Sequence, residues 1–228
     1  MKKPENRALS RFAACWLLLA GLVMSAHFCY VAVRSVAEGR PGEMLWITHI
    51  FTLTGGLGAL FKSRRMVAFS LTALFLNHAF WTADALTYFA TGRFPFGFAA
   101  YIKGQSPGVW IQSANHLFDL PLLIPSAYFL GGVPRRSWIS SGAISTALVV
   151  FCYLFTAPAE NVNCVFAAWP GMDRLYPAFL LSFSGVRHVA VVIAVTVFFN
   201  QLPVNLVLSL LFSAIGRKKA KDRPRPRR

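Results

Sequence analysis

Apolar residues in this chain come in long unbroken blocks, not in the alternation of a half-buried strand or the single stripe of a soluble helix. The blocks run at about residues 12–33, 44–61, 66–90, 109–132 and 139–157, with a longer one within 176–215, and short polar loops separate them. A helix needs ~20 apolar residues to cross the hydrocarbon of a bilayer, so each block predicts a span. The expected fold is all-α, a polytopic transmembrane helical bundle of six spans, with seven as the alternative. Its expected parts are a cytoplasmic N-terminal segment at 1–11, the bundle at 12–215 and a disordered basic cytoplasmic tail at 216–228.

The last block carries the ambiguity. As one helix, 176–215 would be ~60 Å long at 1.5 Å per residue, twice the ~30 Å hydrocarbon thickness. Arg187 and His188 divide it, as do Asn200, Gln201 and Pro203. In the six-span reading 188–215 cross with a kink near Pro203, and 176–186 form an outer-surface helix or a partly buried lead-in. A break at Pro203 would give seven spans and carry the basic tail outside. At the other end the opening MKKPENRALSR suits a signal peptide. No small residue stands at Met24, however, and the apolar run continues to Val33, so a retained first span is expected.

Composition agrees with the pattern, since 56% of the 228 residues are hydrophobic, 14% are charged and the mean hydropathy is +0.52. The net charge of +15 would suggest nucleic acid were it spread over a folded surface, but it is confined to one side. With the N-terminus inside, 17 of the 23 basic residues fall in inner segments with two acids, Glu5 and Asp222. The outer side holds the other six bases and six acids. Excess Lys and Arg in cytoplasmic loops orients membrane proteins, so both termini are expected in the cytoplasm and the protein in a plasma or inner membrane. Nucleic acid is excluded as a partner and the bilayer expected. The tail RKKAKDRPRPRR reads as a stop-transfer flank or as a segment held to anionic lipid head groups; protein partners are not legible.

Ionisable side chains inside spans are costly in lipid and face partners or cavities. All five histidines, with Asp84 and Asp119, fall in the outer half of the expected spans or at its boundary, His78 lying just past the midplane. Asn77, Trp81, Asp84 and Tyr88 recur on one face of the third span, and Gln112, His116 and Asp119 on one face of the fourth, beside Asn115. The predicted polar cluster is therefore His49, Asn77, His78, Trp81, Asp84, Gln112, His116 and Asp119, covered by Asn161 and Asn163 of an outer loop, with Asp84 and His116 approaching each other. His27 reads as a packing histidine, and His188 with Arg187 as an interfacial anchor. Either the cluster is a hydrogen-bonded network that sets helix register, or Asp84, His116 and Asp119 are catalytic or ligand candidates for a divalent metal. The GGLG run at 55–58 follows no strand and reads as a helix-packing face, not a phosphate loop.

The order W-x-x-D (Trp81, Asp84), S-x-x-H-x-x-x-x-P (Ser113, His116, Pro121) and N-V-N (Asn161 to Asn163) resembles a group of uncharacterised bacterial multi-pass membrane proteins over about residues 75–210; the resemblance implies no activity. Seven-span metal hydrolases that hold zinc on buried Ser, Asp and His offer a second comparison, from which the chain departs in span count and in lacking a final H-x-x-x-H. The expected role is a structural or accessory membrane protein, with a metal-dependent hydrolase acting on a lipid at the outer leaflet and a small transporter as alternatives.

Overall fold

The computed structural model describes residues 9–168 and 182–221. Most of the expected N-terminal segment, residues 176–181 of the lead-in and residues 222–228 of the basic tail therefore lie outside the described residues. Within them every regular element is helical. The helices are α1 (Arg11–Ala37), α2 (Ile47–Leu60), α3 (Arg64–Thr91), α4 (Pro107–Ser113), α5 (Asn115–Phe129), α6 (Ser137–Phe155), α7 (Gly185–Ala194) and α8 (Leu202–Lys221).

Among the described residues four stretches are long and apolar enough to cross a membrane: α1, α3, α6 and the run Gly185–Gly216 that joins α7 to α8. All four present large apolar side chains outward, among them Leu22 and Val33 on α1, Leu86 and Phe89 on α3, Leu154 and Phe155 on α6, and Phe198 and Phe199 in the last run. Such surfaces on several long helices at once suit lipid better than water.

The other two expected spans are not single long helices. The block 44–61 is divided between a 3₁₀ turn, Pro41–Leu45, and α2, whose 14 residues reach only ~21 Å at 1.5 Å per residue. The block 109–132 breaks at Ala114 into α4 and α5. There the Ala114 amide bonds to the Ile111 carbonyl and the Leu117 amide to the Ala114 carbonyl. These three-residue spacings tighten the turn as in a 3₁₀ helix.

The last run does not break at Pro203. It stays helical but loosens into a π-helical segment, Val195–Gln201, just before the proline. Pro203 has no amide for the carbonyl four residues earlier, and the wider turn absorbs that loss without ending the helix. The boundary at Gly185 agrees with the expected division near Arg187 and His188.

α3 lies centrally, against α2, α5, α6 and the last run, while α1 packs on α2 and α5. The expected small-residue face of α2 makes this approach possible. A side-chain carbon on Gly56 would stand 2.9 Å from Met24 Cβ and 3.1 Å from the Ser25 backbone nitrogen, and one on Gly58 2.9 Å from the Val67 backbone nitrogen. The small face of α6 is used in the same way: Gly142 abuts Val197, and Gln201 donates to Ser145 Oγ at 2.7 Å. Gly56→Val is expected to separate α1 from α2 and cost about 1–3 kcal/mol by overpacking. The check is thermal unfolding in detergent, where Leu18→Val on the exposed side of α1 should change little.

Candidate functional site

The predicted cluster divides into three parts. The innermost joins α2, α3 and α5 around Asp119, which is fully buried. Its Oδ2 accepts from Thr52 Oγ1 at 2.5 Å and is paired with His78 Nε2 at 3.0 Å, while Asn115 Nδ2 donates to Thr52 Oγ1 at 3.2 Å. One carboxylate thus holds three helices in register, with hydrogen bonds that have no water to compete with them. His27 continues the histidine group onto α1, its ring centroid 6.2 Å from that of His49 and its Nε2 donating to the Ile111 carbonyl at 3.0 Å.

The second part belongs to Asp84, whose observed partners lie in the loop after α3. Asp84 Oδ1 accepts the backbone amide of Phe96 at 2.7 Å and Oδ2 that of Ala99 at 3.1 Å. Both oxygens therefore fasten the outer loop after α3, and Asp84 shares no hydrogen bond with His116. Helical spacing puts Asp84 on the face of Asn77 and Trp81, but the loop reaches it first. Among the described residues no group of three His, Cys, Asp or Glu side chains is arranged to hold a metal ion.

The third part is a cavity of about 400 Å³. Of the predicted residues it is lined by His49, Asn77, Trp81, Gln112, His116 and Asn163. His116 sits between two rings, 4.8 Å from Trp81 and 4.4 Å from His78 by centroid. The indole of Trp81 donates to Tyr101 Oη at 3.2 Å, and Tyr101 meets Ser113 Oγ at 2.7 Å. Gln112 donates to Glu43 at 3.1 Å, and Glu43 pairs with Arg40 at the exposed rim. Next to it Glu38 is bridged by Arg34 and Arg40, and those cations, Arg34 foremost, hold its carboxyl below the ordinary range.

The outer loop covers the cavity through only one of its two asparagines. Asn163 Oδ1 accepts the Ile47 amide at 2.7 Å and its Nδ2 donates to the Leu45 carbonyl at 2.9 Å. It therefore caps the start of α2 from another part of the chain. Asn161 turns into its own loop, accepting the amides of Phe166 and Ala167; it builds the cover and does not line the cavity. Cys164 also lines the cavity, but burial pushes its thiol up to about 12, which leaves it protonated and a poor nucleophile.

Two lining residues carried no site signal in the sequence reading. His188, read as an interfacial anchor, is buried, with its Nε2 donating to the Cys164 carbonyl at 2.8 Å. Asn200 comes from the π-helical segment and donates to Asn77 Oδ1 at 3.3 Å. An amide beside a proline inside an apolar span was the available clue, because π turns recur at functional sites.

No known protein family, curated protein or solved structure matches the chain. The site has to be read from its own chemistry.

Proposed function

We propose that this chain is a six-span protein of a plasma or inner membrane, with both termini cytoplasmic, whose outward cavity binds a small amphipathic ligand. The carrying observation is the cavity itself, which Val191, Val192 and Val195 line together with the polar side chains of His49, Gln112 and His116. An apolar enclosure with a few convergent polar groups is the usual form of a small-molecule site. Among the described residues His49 Nδ1, His188 Nδ1 and Asn200 Oδ1, all of lining residues, are buried without a protein partner, as are Asp119 Oδ1, His78 Nδ1 and Asn115 Oδ1 in the network behind them. The network around Asp119 supports the structural role expected for the cluster, and the cavity supports a binding role above it.

Six crossings require α2 with its 3₁₀ turn, and α4 with α5, to pass the membrane as broken elements. Irregular backbone at that depth is tolerated where protein covers it or a cavity receives it, and Gln112, Ser113 and His116 flank the Ala114 break at the cavity wall. Discontinuous helices of this kind form the binding sites of transporters, which favours transport as the second reading. Charge sidedness supports the orientation: reporters fused after Gly216 and within 158–168 should fall on opposite sides, and an external tail would overturn the topology.

The ligand reading is tested by filling the cavity. Thr196→Trp places a large ring at the π segment, and mass spectrometry of organic extracts from protein in lipid nanodiscs should show an amphiphile at least about 5-fold depleted relative to the parent protein, a loss of ~1 kcal/mol of binding. Identical extracts from a folded variant would refute a bound ligand.

A further inference from the structure

We propose that the cavity selects a ligand whose polar head is a neutral multiple hydrogen-bond donor, a polyol such as a sugar or glycerol head group. The inference rests on the reading of the cavity as a ligand site and deepens it.

Tautomers carry the argument. A carbonyl can only accept, so a ring nitrogen bonded to one must bear the proton. His188 Nε2 lies 2.8 Å from the Cys164 carbonyl, and His116 Nδ1 lies 3.0 Å from the Ser113 carbonyl. In the neutral rings the other nitrogens, His188 Nδ1 and His116 Nε2, are therefore bare acceptors. Among the described residues His188 Nδ1 is buried without a protein partner, both rings line the cavity, and His188 is 3% exposed. Asn200 Oδ1 adds a second unpartnered acceptor, since its amide nitrogen is directed at Asn77.

Many lining donors are already engaged within the protein. The nitrogens of Trp81, Gln112, Asn163 and Asn200 donate to Tyr101, Glu43, Leu45 and Asn77 respectively. Bare acceptors such as His188 Nδ1 and Asn200 Oδ1 call for a head group that donates, and hydroxyls can also accept from donors that remain, such as the N–H of the neutral His49 ring. A cation would also donate, but among the described lining residues it meets no free anion. Glu43 is held by Arg40 and Gln112, and Asp119 is enclosed by Thr52 and His78 behind the wall. Hydroxyl groups satisfy bare acceptors without bringing an uncompensated charge into a desolvated site.

Three water-soluble probes with the same aromatic anchor distinguish the possibilities on the full-length protein in amphipol: phenyl β-D-glucoside, its tetra-O-methyl ether and benzyltrimethylammonium. Equilibrium dialysis should show the glucoside binding at least about 10-fold more tightly than either of the others, the equivalent of one or two hydrogen bonds lost. His188→Phe and His116→Phe should each erase most of that preference; phenylalanine keeps the ring shape and, at 116, the stack with Trp81 and His78. Should the methylated probe or the cation bind as well as the glucoside, with Thr196→Trp abolishing all binding, the cavity would stand as a site and the polyol assignment would fall. Absence of binding by every probe, or binding indifferent to Thr196→Trp, would overturn this inference and count against the cavity as a ligand site.

Discussion

Asp84→Ala is expected to cost about 3 kcal/mol in unfolding free energy and to release the outer loop after α3. The variant removes the acceptor of two amides at once, those of Phe96 and Ala99. Hydrogen bonds to a charged acceptor contribute roughly 1.5–3 kcal/mol each, and a buried donor left without a partner costs its desolvation. Ala99 is fully buried, in a satellite core with Trp81, Ala85 and Ile102, so its amide has no ready route to water. Faster hydrogen exchange should be confined to the loop, with amides of α2 and α5 near Asp119 unchanged. Loss of protection throughout α5 instead would place Asp84 back in the histidine cluster, against the geometry described above.

The second large effect is expected at the buried pair itself. His78→Phe removes the ring nitrogen that meets Asp119 and leaves the carboxylate with Thr52 as its one remaining side-chain partner at Oδ2. Leaving one partner buried with a lost hydrogen bond costs about 1–3 kcal/mol, the desolvation of an unsatisfied polar group. The double variant His78→Phe/Asp119→Leu removes both halves and should recover much of that loss, since an apolar replacement of both partners is often neutral. Thermal unfolding of the two single variants and the double variant in one detergent closes the cycle. Strict additivity would show that the pair does not couple α3 to α5.

These two outcomes separate roles that spacing along a helix could not. Asp84 and Asp119 are both fully buried carboxylates in apolar helices, and by sequence they are the same kind of signal. One receives backbone amides from a loop that follows it closely in the chain; the other receives side chains from helices far away in sequence. Charge count, depth and periodicity do not carry that difference. It depends on where the loop at 92–106 folds, and a loop path is not written in helical spacing.

Local physics determined much of this protein from its sequence. The apolar blocks dictated helices because backbone polar groups in an apolar setting must pair within their own segment. The glycines of α2 and the small residues of α6 were legible as contact faces because only small side chains allow close backbone approach. The polar cluster was legible because ionisable groups are rare in such helices, and His49, Asn77, Trp81, Gln112, His116 and Asn163 do line one cavity. Only the tertiary structure decided which of these groups are spent on one another and which are left for a ligand. His188 entered the cavity because the Cys164 carbonyl orients its ring, and Asn200 because a π-helical turn rotates it toward Asn77. Both depend on contacts between segments distant in the chain, and the pattern of apolar and polar positions encodes which residues prefer burial, not which buried residues will meet.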